Sequence, residues 1–208
     1  MFDLLEDTGE RIIPDLMKRD NWMYLEHLAR YYFATPYVKG RVLDIACGSG
    51  YGTHFVAKMC KHDCEEIVGV DIDADTIQYA TKRYQHPLVT YQKGDVLSPT
   101  LVQEIGQFDT VMSFETLEHV RDEKQFVKQM YNLLKPGGAL ILSTPFGKGR
   151  DKTCCIPFHY FQLTREEFEA LFRNAPFERV QFYEQRGVTF EQPRAGVKYN
   201  FGIVVAKK

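Results

Sequence analysis

Val42-Leu43-Asp44-Ile45-Ala46-Cys47-Gly48-Ser49-Gly50-Tyr51-Gly52 reads as a buried apolar strand that ends in a Gly-x-Gly-x-Gly turn and runs directly into a helix. Glycine suits such a turn because a backbone without Cβ takes positive φ and lets a ligand press against the main chain. A turn of this kind at the carboxyl end of a first strand is where open α/β sheets bind nucleoside-type ligands. By itself the turn is a weak signal, and its meaning depends on the residues that follow.

Downstream, short apolar runs alternate with longer amphipathic stretches, the pattern of a parallel sheet covered by helices. Strands are expected at 41–46, 66–71, 88–92, 108–113 and 138–144, with helices near 51–61, 74–84, 99–105 and 121–134. Lys135-Pro136-Gly137-Gly138 reads as a helix stop and a turn before the fifth strand. A helix near 164–173 opens with a capping box, Thr164 followed by Glu167. Segments 177–184 and 199–206 then form a late β-hairpin with 185–198 as its long connection. Upstream, Trp22, Leu25, Leu28, Ala29 and Tyr32 recur at helical spacing between Pro14 and Pro36, so a helix is expected to pack on the sheet. This divides the chain into an N-terminal helical cap or lid, 1–40, and a main domain, 41–208.

The chain has 208 residues and a formal net charge of -2. That length supports one well-buried domain, and the charge gives no global pull toward nucleic acid or anionic membranes. Nucleic acid is therefore not an expected partner. No apolar run approaches the roughly 20 residues of a membrane span. Met1 to Asp7 lacks the basic and apolar blocks of a secretion signal, and five cysteines without such a signal suit reduced thiols in a cytoplasmic protein. Cys60-x-x-x-Cys64 and Cys154-Cys155 do not match zinc-ligand spacing, so ordinary thiols are the better reading.

Two acids extend the argument from the glycine turn. Asp71 ends the second strand 23 positions after Gly48, where a carboxylate can accept hydrogen bonds from ribose hydroxyls. Asp71 or Asp73 can equally cap the helix that starts near Ala74, and the two roles are compatible. Asp95 follows Gly94 at the end of the third strand, placed to accept from an exocyclic amine; a solvated turn aspartate is the alternative.

These segments, together with Phe108-Asp109-Thr110-Val111 and Leu134-Lys135-Pro136-Gly137-Gly138, resemble the class I S-adenosylmethionine-dependent methyltransferases in order and in register over residues 40–145. The resemblance implies a doubly wound, Rossmann-like, three-layer α/β/α fold around a seven-stranded sheet with a reversed C-terminal β-hairpin. It also implies S-adenosylmethionine as cofactor, with Gly48 and Gly50 at its methionine part and Asp44 near its amino group. Asp71 would hold the ribose, and Asp95 and Val96 the adenine; Ala46, Ile72 and Phe114 are assigned to the same site. NAD is disfavoured, because its usual turn is Gly-x-Gly-x-x-Gly.

The fourth strand leads into Glu115-Thr116-Leu117-Glu118-His119. If 115–120 is a helical turn, Glu115, Glu118 and His119 share one face. With His159 on the same sheet edge, they make a plausible divalent-metal set for Mg, Mn or Zn. The Glu-x-x-Glu-His pattern is similar to that of small-RNA 2′-O-methyltransferases and ubiquinone-pathway O-methyltransferases, which implies a metal gripping adjacent substrate oxygens. Many class I methyltransferases carry a Glu-His pair without metal, however, where the histidine packs or serves as a base. His119 and Glu115 are the catalytic candidates on either reading.

Phe146-Gly147-Lys148-Gly149-Arg150-Asp151-Lys152 is basic and glycine-containing, suited either to an anion on the acceptor or to a solvated loop. Thr8-Gly9-Glu10-Arg11-Ile12-Ile13-Pro14 and Glu26-His27-Leu28-Ala29-Arg30-Tyr31 look like the front end of bacterial methyltransferases from glycan-associated gene neighbourhoods, which implies a sugar or glycolipid acceptor. Whether Glu26, His27, Arg30 and Tyr31 touch ligand or brace the cap stays open, as does closure of Arg30 and Tyr31 over the cofactor's carboxylate. The expected activity is methyl transfer to an oxygen of a small molecule. An amine acceptor is the nearest rival, although the Asn-Pro-Pro-Tyr type of motif is absent. A non-catalytic cofactor-binding module is the alternative of a different class.

Overall fold

The computed structural model describes Leu5, Gly9 and residues 11–208. Met1 to Leu4, Glu6 to Thr8 and Glu10 lie outside the described residues, and with them most of the leader expectation and two positions of the Thr8–Pro14 motif.

Eight strands form one mixed sheet: β1 (Gly40–Ile45), β2 (Cys64–Asp71), β3 (Val89–Lys93), β4 (Phe108–Phe114), β5 (Leu134–Pro145), β6 (Arg179–Arg186), β7 (Thr189–Glu191) and β8 (Phe201–Lys207). Their order is β3-β2-β1-β4-β5-β8-β6-β7. The β1–β2, β1–β4, β2–β3 and β4–β5 pairs are parallel, and β8 runs antiparallel between β5 and β6. The reversed hairpin is therefore β6 and β8, and the sheet has one strand beyond the seven expected. That strand, β7, has only three residues and folds back onto β6 inside the 185–198 connection, too short to show as a periodic run.

Alternation along each strand sends side chains to opposite faces, which builds two cores. Leu43, Ile45, Val68, Leu140 and Val204 meet α4 (Leu101–Ile105), α5 (Glu123–Leu133) and α6 (Arg165–Arg173) on one face. Val42, Ile67, Met112, Ile141 and Val205 meet α1 (Trp22–Ala34), α2 (Tyr51–Met59) and α3 (Ala74–Arg83) on the other. The result is three layers. Its topological switch lies between β1 and β4, where the chain leaves β1 to one side and returns on the other; open sheets bind ligands outside the carboxyl ends of strands at such a point.

Two local expectations come out differently. Lys135 to Gly138 belong to β5 rather than to a separate turn. Gly137, at φ +75°, donates its N–H to the Lys208 carbonyl (2.7 Å), so the irregular start of β5 is paired with the chain's last residue. The face of α1 also differs: Trp22 and Tyr32 are its outermost side chains, whereas Arg30, Tyr31 and Ala34 are buried. The Tyr31 ring of α1 packs over Gly52, a contact between residues far apart in sequence. Ile12 and Ile13 are buried in the same core, and Ser49 Oγ donates to the Ile12 carbonyl (2.7 Å), tying the N-terminal segment to the glycine turn. Among the described residues no helix is long and apolar enough to cross a membrane.

Candidate active site

The carboxyl ends of β1, β2, β4 and β5 open into one cavity of about 1130 Å³, roofed by residues of the N-terminal segment. At its centre is the glycine turn, with Ala46, Gly48 and Gly50 at φ +58°, +54° and +85°. The three glycines have separate duties. A Cβ on Gly48 would meet only Arg11 Cγ at 3.9 Å, so its surroundings are open toward the cavity it lines. A Cβ on Gly50 would lie 2.7 Å from Ala80 Cβ, and Gly50 caps α2 away from the cavity lining. A Cβ on Gly52 would lie 2.0 Å from Tyr31 Cζ, so the third glycine makes room for an aromatic ring from α1.

Asp71 holds this turn in place. Its carboxylate accepts from the Gly48 N–H (2.9 Å) and the Asp73 N–H (3.0 Å), and the residue lines the cavity. The cap of α3 is Asp73, which accepts from Asp75 and Thr76, so the capping role considered for Asp71 belongs to its neighbour. Asp95 accepts from the Leu97 N–H (2.8 Å) in a local turn and lines the cavity with Ile72, Val96 and Ala46. Phe114 lines it as well, edge-on to Tyr31 with ring centroids 4.9 Å apart.

Asp44 does not line the cavity. It is buried behind the turn, where Thr53 Oγ1 donates to it at 2.6 Å and Tyr31 Oη at 3.3 Å. Burial pushes its carboxyl from 3.8 up to about 7 against the two hydroxyl donors, and the nearby Asp71 charge adds to the rise. A carboxyl raised in this way stabilises the fold fully below its unfolded value and loses that contribution as pH rises through its folded one. Stability should therefore fall between pH about 4 and about 7, by about 4 kcal/mol at most from this group. In Asp44→Asn that part of the decline should vanish when unfolding is followed in urea across this range; an unchanged slope would remove Asp44 as its source.

Farther along the cavity lining the chain leaves β4 with Glu115 at φ +52°, followed by a 3-10 turn over Leu117–His119. Glu115 precedes that turn and is not carried on one face with its neighbours. Its Oε1 accepts from Ser143 Oγ (2.8 Å) and lies 3.8 Å from Arg30 Nη1. Glu118 is buried, and its Oε2 accepts from Thr144 Oγ1 (3.0 Å). Burial, and after it the Glu115 charge, hold the Glu118 carboxyl well above the usual range. His119 Nδ1 lies 3.2 Å from the Phe158 carbonyl. A carbonyl only accepts, so this bond requires the proton on Nδ1, and in the neutral ring Nε2 is then the acceptor nitrogen.

The His119 and His159 rings meet edge-on at 4.7 Å between centroids. Burial, with His119 alongside, lowers His159 to about 4. Among the described residues, Glu118, His119 and His159 bring potential ligand atoms within 4.8 Å of one another; Glu115 is not in that group.

Other expected residues divide in the same manner. Glu26, His27 and Tyr31 line the cavity, whereas Arg30 lies fully buried beside it, donating Nε–H to Gln185 Oε1 (2.7 Å) and stacked 4.1 Å over Phe201. His27 is held well below its ordinary value by burial and then by Arg30. In the basic segment, Arg150 pairs with Glu123 (3.1 Å) and covers Phe161, so it braces the loop; Lys148 and Lys152 line a smaller pocket of about 280 Å³. Ser143 and Thr144, which hold the two glutamates, escaped the sequence reading. Two hydroxyls ending the apolar run Leu140-Ile141-Leu142 were the available signal.

Comparisons with known proteins agree with this layout. Residues 43–142 match a family model described as a methyltransferase domain. The chain is 34% identical over 176 residues to a probable S-adenosylmethionine-dependent methyltransferase of Mycolicibacterium smegmatis, across 82% of this chain and 65% of that protein. It is 30% identical over 109 residues to a ubiquinone biosynthesis O-methyltransferase of Ruegeria pomeroyi, across 52% of this chain and 42% of the other. The chain thus spans less than two thirds of the length of either relative. The crystal structure of a SAM-dependent methyltransferase from Archaeoglobus fulgidus superposes with a TM-score of 0.63 at 18% identity, covering 91% of this chain and 96% of that one; it shares the fold. The glycine turn backed by Asp71, the strand order and these relatives together show that residues 43–142 form a methyltransferase domain, in a chain similar to the S-adenosylmethionine-dependent methyltransferases.

Proposed function

We propose that this protein transfers the methyl group of S-adenosylmethionine to an oxygen of a small acceptor, a sugar-type or glycolipid head group included, with Glu118, His119 and His159 preparing that oxygen. The observation that carries the reading is the convergence of these three side chains within 4.8 Å on the cavity that the glycine turn also lines. Gly48 leaves the turn open, and the cavity has room for a nucleoside and an acceptor together. When bound, S-adenosylmethionine supplies a methyl already activated on a sulfonium, so the chain's task is alignment and exclusion of water. The N-terminal segment, 1–40, acts as the cap of that site, anchored through Tyr31 and Ile12.

Two imidazoles and a carboxylate suit zinc, an ion of intermediate softness, ahead of the harder manganese and magnesium. Such an ion would supply Lewis acidity that makes an alkoxide or phenolate accessible near neutral pH. The chain's own part is orientation. The Phe158 carbonyl fixes the His119 tautomer, and Thr144 holds the Glu118 carboxyl. Treatment with a chelator is expected to remove most methyl transfer, and added zinc or manganese to restore it, both followed as S-adenosylhomocysteine produced. Undiminished turnover in chelator would leave His119 Nε2 as a general base acting without metal.

A further inference from the structure

Four large apolar side chains that line the cavity stand exposed at its rim: Met23 of α1, and Ile156, Phe158 and Tyr160 from the loop between β5 and α6, at 42%, 44%, 69% and 50% of full exposure. Single exposed apolar residues are ordinary, but four lining one cavity mouth mark a surface that receives apolar material. The same loop holds the imidazole pair. The Phe158 carbonyl binds His119 Nδ1, the Tyr160 N–H donates to the Glu118 carbonyl (2.9 Å), and His159 lies between them against His119.

Phe158 achieves this at φ +64°, a region that aromatic residues seldom adopt. That conformation turns its carbonyl inward to His119 while its ring stays in solvent. Strained backbone persists where the surroundings over-determine it, and here the carbonyl is committed to the imidazole. The Arg121 guanidinium sits 5.1 Å over the Tyr160 ring and supports it.

We infer that the acceptor is an amphiphile, with an oxygen-bearing head at His119 and His159 and an apolar tail or ring system laid on Met23, Ile156, Phe158 and Tyr160. The assignment of the head rests on the methyl-transfer reading; that of the tail rests on the rim. Because one loop carries both surfaces, a tail seated on Phe158 and Tyr160 also steadies the carbonyl that orients His119. Tailed acceptors should therefore gain in kcat as well as in KM.

The test uses two matched pairs, methyl and decyl glucoside and catechol and decylcatechol, all below their critical micelle concentrations. Binding to the protein loaded with S-adenosylhomocysteine is measured by calorimetry, and methylated product by mass spectrometry. The decyl member of at least one pair should bind about tenfold or more tightly than its partner. Ile156→Ser combined with Phe158→Asn should remove most of that gain without altering the affinity for S-adenosylhomocysteine; asparagine is chosen because it tolerates positive φ. Equal affinities within both pairs, absence of binding by any member, or a gain that survives the substitutions would overturn the inference. Tail-dependent binding that the substitutions abolish, but with no methylated product from any member, would uphold the apolar surface while counting against methyl transfer to these head groups.

Discussion

His119→Asn should lower kcat by about 10²- to 10⁴-fold, the range for loss of a positioned acid–base group, with little change in the affinity for S-adenosylmethionine. Asparagine is the informative replacement. Its amide nitrogen stands where Nδ1 stood and can still donate to the Phe158 carbonyl, so the 156–160 loop keeps its anchor while Nε2 disappears. An alanine would release that loop and mix two effects. His159→Asn should produce a deficit of similar order if both imidazoles hold one ion, and a much smaller one if His119 acts alone as base. Calorimetric titration with S-adenosylmethionine and single-turnover methyl transfer distinguish binding from chemistry. A kcat near that of the unaltered protein in His119→Asn would remove His119 from the chemical step.

Gly52→Ala should destabilise the fold by about 3 kcal/mol, at the upper end for overpacking a well-filled core. The new methyl would lie 2.0 to 2.5 Å from three ring carbons of Tyr31. That ring has few escapes: it is 5% exposed, meets Tyr51 and Phe114 edge-on, and carries the hydroxyl that donates to Asp44. Any shift large enough to admit the methyl breaks that hydrogen bond and disturbs a residue lining the cavity, so affinity for S-adenosylmethionine should fall too. Tyr31→Ala alone should cost about 3–5 kcal/mol, but it vacates the space that the new methyl requires. The double substitution should therefore be milder than the sum of the two, since contacting residues are not additive. Urea unfolding of the four proteins measures this, and strict additivity would show that Gly52 and Tyr31 do not oppose one another.

The contrast between these residues shows how much of the molecule was legible beforehand. The first five strands, their helices and the capping box at Thr164 follow from periodicity and from turn chemistry, signals carried by neighbours in sequence. The place of Asp71 beside the glycine turn was legible because its spacing from Gly48 is set by one β-α-β unit. Asp44 and Gly50 were placed at the cofactor by the resemblance, yet both stand behind the turn, with Asp44 bound by Thr53 and Tyr31 and Gly50 packed on Ala80. The grouping of Glu115 with Glu118 and His119 depended on one helical turn, and a positive φ at Glu115 takes it out of that turn.

By itself the sequence determined the fold class and the places of the first five strands along the chain, because alternation, glycine positions and acids at strand ends are local properties; the type of cofactor came with the resemblance that those motifs carry. The tertiary structure alone decided which glycine is open to the cavity, which face of α1 is buried and which three of four candidate side chains converge. Each of those outcomes depends on a contact between residues distant in sequence, Tyr31 against Gly52 or Phe158 against His119, where shape and hydrogen bonding across the fold outweigh local preference.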